Sequence, residues 1–207
     1  LGLRYAFHTP SKLYYVLSYC NGGDLYNLLS RCKKFKEAHA RFYAGQVFLA
    51  IRHLHSIGVI YRDLKPENVL LDEGGHVKLT DFGLSKESTT ADTFCGTPDY
   101  LAPEIINGKG HGRGVDWWSL GTMIYEMLGG LPPFYSENVN LMYDRILSAP
   151  LAFRPAELFT SEAQSLLQGL LQKVPDARLG SGERDGAELR EHPWFAPIDW
   201  QKLERRE

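Results

Sequence analysis

The sequence has few of the features that mark secreted, membrane-spanning or nucleic-acid-binding proteins. Three of its 207 residues are cysteine, and Cys20, Cys32 and Cys95 have neither paired nor metal-ligand spacing, which favours a reducing compartment. The most apolar stretch, 117–131, is interrupted by Glu126 and by glycines, and it is too short to span a bilayer. A net charge of −2 with no basic block gives no reason to expect a nucleic-acid partner. These absences predict an intracellular, cytoplasmic protein without a membrane span.

The composition is that of an ordinary globular protein, with 43% hydrophobic residues, 23 basic residues and 25 acidic residues. The length is sufficient for one sizeable core, and the sequence contains no internal repeat and no low-complexity tract. We therefore predict a single domain.

The spacing of apolar residues predicts a mainly helical α+β fold that begins with a β-hairpin. The predicted helices cover 25–31, 37–57, 116–128, 135–147, 161–171 and 187–191, and the predicted strands cover 3–7, 13–19, 69–71 and 76–79. The helix 116–128 is apolar on nearly all sides, which predicts burial. His53 and His55 face different sides of their helix, so we interpret both as structural or solvated residues and not as metal ligands.

Two polar stretches carry the chemistry. Residues 61–71 read Tyr-Arg-Asp-Leu-Lys-Pro-Glu-Asn-Val-Leu-Leu, and an Asp-Phe-Gly begins ten residues further on. Phosphoryl transfer needs a base, a cation near the transferred phosphate and oxygen ligands for Mg²⁺. In that order Asp63, Lys65, Asn68 and Asp81 fit these roles. Either motif alone is ordinary loop chemistry, but the two together at this spacing favour catalysis.

These motifs resemble those of the eukaryotic protein kinases, and more narrowly those of the AGC group of serine/threonine kinases. Tyr61 stands where most kinases carry histidine, and segment 93–104, Thr-Phe-Cys-Gly-Thr-Pro-Asp-Tyr-Leu-Ala-Pro-Glu, is close to the ending of the group's activation segment. Val-Asp-Trp-Trp at 115–118 and Arg-Leu-Gly at 178–180 match later landmarks. The likeness covers nearly the whole chain and is nearest to the Akt and serum-and-glucocorticoid-regulated subfamilies.

The resemblance implies a protein-kinase-like fold, with the end of the small β-lobe at 1–19 and a mainly α-helical large lobe at 20–207. Asp116 is then expected to hold the backbone of the catalytic loop. The Gly-rich loop and the nucleotide-clamping lysine of the family are not in this sequence. We therefore expect a partial kinase domain that is weak or inactive by itself, because positioning of the phosphates supplies most of the catalysis.

The resemblance also implies an activity, the transfer of the γ-phosphoryl group of ATP to serine or threonine hydroxyls of protein substrates. ATP and Mg²⁺ would be the cofactors, with Asn68 and Asp81 as the metal ligands. Asp63 would orient the acceptor hydroxyl, and Lys65 is typical of serine/threonine specificity. The alternative is a kinase-fold binding or scaffold module without catalysis, and retention of all four groups argues against a degenerate site.

Further contacts to the nucleotide and to the substrate are implied by position. The predicted cofactor-binding residues are Ser18, Cys20, Asp24, Glu67, Leu70, Thr80 and Asp81. Ser18 and Cys20 belong to the hinge that touches adenine, whereas Leu70 lies under adenine or is simply part of the core. Asp24 either caps the following helix or contacts ribose or a substrate arginine. With Glu67 and Glu126, it matches the positions that attract basic residues upstream of the acceptor.

Thr93 matches the site that an upstream activating kinase phosphorylates in AGC kinases. Arg62 and Lys86 match the cations on which that phosphate docks. The small, polar stretch 86–92 predicts a mobile segment. The alternative is that Thr93 is a plain exposed loop residue.

Overall fold

The computed structural model describes residues 2–87, 91, 93 and 95–207, and helices predominate among them. The strands are β1 (Leu3–Thr9), β2 (Lys12–Leu17), β3 (Val59–Ile60), β4 (Val69–Leu71), β5 (Val77–Leu79) and β6 (Lys86–Glu87). The helices are α1 (Leu25–Cys32), α2 (Glu37–Ser56), α3 (Pro103–Ile106), α4 (Gly114–Gly129), α5 (Val139–Ser148), α6 (Ser161–Leu170), α7 (Ala187–Arg190) and α8 (Trp200–Arg205). The predicted α+β fold is confirmed.

Most predicted elements end within two residues of their predicted bounds, but the helix predicted at 135–147 was placed too early. It begins at Val139, because the side chain of Asn138 caps it and accepts hydrogen bonds from the N–H groups of Asn140 and Leu141. Tyr135 and Ser136, which precede this cap, have no regular secondary structure, so the aromatic side chain of Tyr135 lies outside the helix.

Helix α4 is the centre of the core and is buried on nearly all sides, as predicted. It packs between α2 and α6. At Gly121 a Cβ atom would come within 2.8 Å of the Leu170 side chain, so α4 and α6 approach each other closely because this residue has no side chain. Neither α4 nor any other helix within the described ranges has the length and apolarity to cross a bilayer.

Two short antiparallel pairings flank the polar stretches found in the sequence. Strands β4 and β5 pair with Val69 opposite Leu79. Strands β3 and β6 pair with Ile60 opposite Lys86, which returns the chain to the loop that follows β3. The two polar stretches are thereby held side by side.

The hairpin of β1 and β2 lies outside the core that the helices share. Every residue of both strands is exposed, including Leu13 at 72% and Tyr5 at 70%. At its open end, the backbone N–H and the side-chain hydroxyl of Ser18 both donate to the carbonyl of Gly2, so these bonds join the two arms of the hairpin.

Candidate active site

The loop that follows β3 is held by the start of α4. Asp116 is fully buried and accepts hydrogen bonds from the backbone N–H groups of Tyr61 at 2.9 Å and Arg62 at 2.8 Å, which is the expected anchoring. Arg62 has a φ of 69°, in the left-handed region that costs a residue with a side chain about 1 kcal/mol or more. The Asp116 bonds stabilise this unfavourable conformation and so fix the direction in which the next residue points.

That next residue, Asp63, lies at the centre of a group of polar side chains and is 7% exposed. The ammonium of Lys65 lies 3.2 Å from Asp63 Oδ2 and donates to Thr97 Oγ1 at 2.8 Å. Thr97 in turn donates to Asp63 Oδ1 at 3.3 Å. Sequence reasoning did not identify Thr97 as a site residue. Its only signal was its place in the activation-segment motif.

Asn68 completes the group. Its side-chain nitrogen donates to Asp63 Oδ2 and to the Asp63 carbonyl, both at 2.8 Å, so the orientation of the carboxamide is set by the loop. The backbone N–H of Thr80 donates to the Asn68 carbonyl at 3.0 Å, which brings the next residue, Asp81, beside this loop. Asp81 is exposed, has a φ of 54° and accepts a hydrogen bond from the N–H of Gly83 at 3.2 Å.

Asn68 and Asp81 fit the ligand chemistry of Mg²⁺. Magnesium binds oxygen donors, and in nucleotide sites it typically uses one or two carboxylates together with substrate phosphates and water. A carboxamide held by hydrogen bonds through its nitrogen and an exposed carboxylate next to it suit that arrangement. Across residues 2–87, 91, 93 and 95–207 there is no group of three or more His, Cys, Asp and Glu side chains that could hold a metal ion by themselves.

Tyr61 joins the two polar stretches. Its hydroxyl donates a short hydrogen bond to the backbone carbonyl of Thr80, and its ring meets Phe82 edge-on at 5.4 Å. Burial raises the pKa of Tyr61, and nearby carboxylates, including that of Asp63, raise it further, so the side chain stays a neutral donor. The described bonds of Thr80 run through its backbone, and the predicted role of its hydroxyl stays a prediction.

The predicted hinge runs beside strand β4. The Gly22 N–H donates to the Leu71 carbonyl at 3.0 Å, and Asp24 forms an isolated antiparallel bridge with Leu70. Ser18, Cys20 and Leu70 are half-buried there. The segment that follows the hairpin is thereby attached to β4, and the adenine contacts of Ser18, Cys20 and Leu70 stay a prediction.

Asp24 caps helix α1, as predicted. Its Oδ1 accepts from the Asn27 N–H and its Oδ2 from the Asn27 side chain, both at 2.7 Å. Each carboxylate oxygen can accept more than one hydrogen bond, so capping is compatible with a further contact to ribose or arginine. That second role stays a prediction.

Acidic side chains gather below the catalytic loop. The hydroxyl of Tyr100 donates a short hydrogen bond to Glu126. Burial raises the pKa of Glu126 to about 7, against the effect of the Tyr100 bond, and the negative charges of Glu67 and Asp99 raise it further. Burial also raises the pKa of Asp99, a residue that sequence reasoning did not single out. The carboxylates of Glu67 and Asp99 therefore lie near enough to Glu126 for their charges to act on it.

The predicted regulatory residues lie near the same loop. Arg62 Nε donates to the Leu84 carbonyl at 2.6 Å, whereas its Nη1 is buried without a partner among the described residues. Lys86 is half-buried in β6, and Thr93 is exposed. Two backbone hydrogen bonds of 2.8 Å join Ala91 to His111. Positions 88–90 and 92, most of the stretch predicted to be mobile, lie outside the described residues.

Comparison with known proteins agrees with this geometry. The family described as the protein kinase domain matches residues 1–195. The chain is 54% identical to Protein kinase 2 of Dictyostelium discoideum over 100% of its length, covering 43% of that protein. It is 54% identical to the serine/threonine-protein kinase Sgk2 of Homo sapiens and 52% identical to Sgk1 of Gallus gallus, in each case over 98% of the chain and covering 56% and 47% of those proteins. The chain thus spans about half the length of the curated relatives it matches, and it belongs to the protein kinase family, in its AGC serine/threonine group.

Proposed function

We propose that this chain is the part of an ATP- and Mg²⁺-dependent serine/threonine protein kinase that carries the catalytic loop, with the end of the small lobe at 1–19 and the large lobe at 20–207. The observation that supports this most is the hydrogen-bonded arrangement of Asp63 with Lys65, Asn68 and Thr97. The substrates are proteins with serine or threonine acceptors. Free cysteines support a cytoplasmic location.

Each side chain has one task in this proposal. Asp63 accepts a hydrogen bond from the substrate hydroxyl and orients it for attack. Lys65, which lies between Asp63 and Thr97, places a positive charge where negative charge accumulates on the transferred phosphoryl group. Asn68 and Asp81 hold Mg²⁺, which neutralises the charge of the polyphosphate when it is bound.

The acidic group beneath the loop suits a basic residue upstream of the acceptor. We expect full-length protein to phosphorylate peptides with arginine two or three positions before the acceptor in preference to the same peptides with alanine there. Because a charge-assisted bond is worth roughly 1.5–3 kcal/mol, Glu126→Gln should lower kcat/KM for the arginine peptide by about 10- to 100-fold. The pKa of Glu126 is about 7, so the preference should fall as the pH is lowered through 7 and the carboxylate is protonated.

Glu73→Gln is the matched control, because Glu73 is an exposed glutamate in the β4–β5 turn. It should leave the preference intact. Equal kcat/KM values for arginine and alanine peptides would contradict the substrate class. Binding of Mg²⁺-ATP with no phosphoryl transfer to any peptide would favour the binding-module alternative instead.

Thr93 is proposed as the residue that an upstream kinase phosphorylates. Phosphate adds a charge of about −1.5 to −2, and Nη1 of Arg62, which has no partner among the described residues, is a donor that could bind it. Two charge-assisted bonds of roughly 1.5–3 kcal/mol each would shift the population of the ordered segment by about a hundredfold or more. We expect phosphothreonine at position 93 of the full-length protein to raise turnover and to protect the chain between Lys86 and Cys95 from proteolysis.

The role of Arg62 is tested by comparing the turnover and the protease protection of the phosphorylated protein with those of the unphosphorylated protein. Arg62→Ala should abolish most of the gain in turnover and in protection, whereas Arg31→Ala, at an exposed arginine in the last turn of α1, should preserve it. A full gain in the Arg62→Ala protein would show that the phosphate does not dock on this side chain.

A further inference from the structure

Asp185 is a carboxylate far along the chain from the catalytic loop, and it is held in an unfavourable conformation. Its φ of 45° lies in the left-handed region, which costs a residue with a side chain about 1 kcal/mol or more. Its Oδ1 accepts from Trp117 Nε1 at 2.7 Å and lies 3.1 Å from His55 Nδ1. The next residue, Gly186, packs so closely that a Cβ atom there would lie 2.8 Å from the Phe48 ring. The loop is therefore built to place this carboxylate.

A continuous line of hydrogen bonds leads from Asp185 to the catalytic loop. His55 is fully buried, and its Nε2 lies 2.8 Å from Asp116 Oδ2. The same Asp116 oxygen accepts from the N–H of Tyr61, and the other accepts from the N–H of Arg62. The imidazole thus lies between two carboxylates, one of which holds the backbone before the proposed base.

This arrangement requires a protonated imidazole. A neutral ring has one N–H group, so one of the two carboxylates would face a nitrogen lone pair. Burial lowers the pKa of His55, but the hydrogen bonds and charges of Asp116 and Asp185 outweigh burial and raise the pKa to about 9. Two further groups among the described residues lie next to His55 and Asp185. The Trp117 ring is 5.0 Å from the imidazole, and the charge of Arg113 acts on Asp185.

We propose that Asp185 is a positioning residue for the catalytic loop. Through His55 and Asp116, it stabilises the backbone conformation of Arg62. Asp185 is also the member of this line nearest to solvent. Its side chain is 18% exposed, whereas that of His55 is fully buried, and its loop borders a cavity of about 490 Å³. Changes in the loop 181–186 are thereby transmitted to the catalytic loop.

Asp185→Asn in the full-length protein tests this inference, because it removes the charge and retains an oxygen for Trp117 and His55. Loss of an opposite charge at this distance should lower the pKa of His55 by about 1–3 pH units, as read from its imidazole resonances by NMR. At pH 8 the amides of Tyr61 and Arg62 should exchange about tenfold faster than in the wild-type protein. Amides in the second half of α4, at Ile124 and Leu128, should exchange at the wild-type rate.

Glu183→Gln is the matched control, because Glu183 is an exposed carboxylate of the same loop. It should change neither readout. An unchanged pKa of His55, or faster exchange at Tyr61 and Leu128 alike, would overturn the positioning role. If Asp185→Asn does not fold, Arg113→Gln removes the cation beside Asp185 and predicts the opposite sign, a higher pKa of His55, and no rise would overturn the inference.

The inference rests on the proposed role of Asp63 in the catalytic loop. Its test reads protonation and amide exchange, so it can fail while the protein still transfers phosphate. It can equally succeed in a protein without transferase activity. The two proposals are therefore separable by experiment.

Discussion

Replacing Asp63 with asparagine in the full-length protein is expected to lower kcat for peptide phosphorylation by about 10²- to 10⁴-fold, while Mg²⁺-ATP binding changes little. Asparagine keeps the size of the side chain and can still accept a hydrogen bond from Thr97. It no longer offers a basic carboxylate to the substrate hydroxyl. Steady-state kinetics give kcat, and isothermal calorimetry gives the affinity for the nucleotide.

Asp176→Asn serves as the control, because Asp176 is an exposed aspartate distant in sequence from the catalytic loop. Its kcat should equal that of the wild-type protein. If Asp63→Asn lowered nucleotide affinity and left kcat unchanged, the carboxylate would belong to the nucleotide site and would not be the group that orients the acceptor hydroxyl.

The largest loss of stability is expected at the buried ion pair of Glu104 and Arg178. Arg178 is 2% exposed and donates to both Glu104 oxygens, at 2.6 and 2.8 Å, and to the carbonyls of Gly114 and Gln172. Glu104→Gln leaves the guanidinium buried without its counter-charge, so we expect the free energy of unfolding to fall by about 3–5 kcal/mol. Urea denaturation followed by tryptophan fluorescence measures this change.

A second substitution separates the ion pair from simple packing. Arg178→Met in the Glu104→Gln background removes the uncompensated charge, and the methionine side chain can pack on Trp118, over which the guanidinium now lies at 5.2 Å. The double variant should recover part of the lost stability. A loss below about 1 kcal/mol for Glu104→Gln alone would mean that the pair contributes no more than an exposed one.

Local patterns in the sequence predicted the elements that position the site. Strand β4 was predicted with both ends correct, and α1 and α2 were predicted to within one residue, because their apolar spacing and capping residues are local signals. The start of α5 was wrong because apolar and aromatic residues before Asn138 extend the helical spacing without being helical. Fold class followed from motifs in the order and spacing of a known family.

Contacts between residues that are distant in sequence were harder to predict from the sequence. His53 and His55 were predicted to be structural or solvated, and the structure has His53 exposed and His55 buried between Asp116 and Asp185. No pattern in the sequence linked His55 to a residue 130 positions away. Thr97 and Asp99 appeared only as members of a motif, because their neighbours are set by tertiary packing. The roles of Asp63 and Asp81 were predicted from motif chemistry, and the hydrogen bonds around Asp63 support them.

The hairpin of β1 and β2 determines how the isolated chain behaves as a reagent. Among the described residues no third strand pairs with it, so each strand presents an unpaired edge together with exposed apolar side chains. Salts such as sulfate strengthen the burial of apolar surface, and here they will favour contacts between molecules over any gain within one. Crystals grown from sulfate are therefore expected to have lattice contacts through the hairpin. Light scattering of dilute samples should change with the choice of anion, because the anion sets the strength of these contacts between molecules.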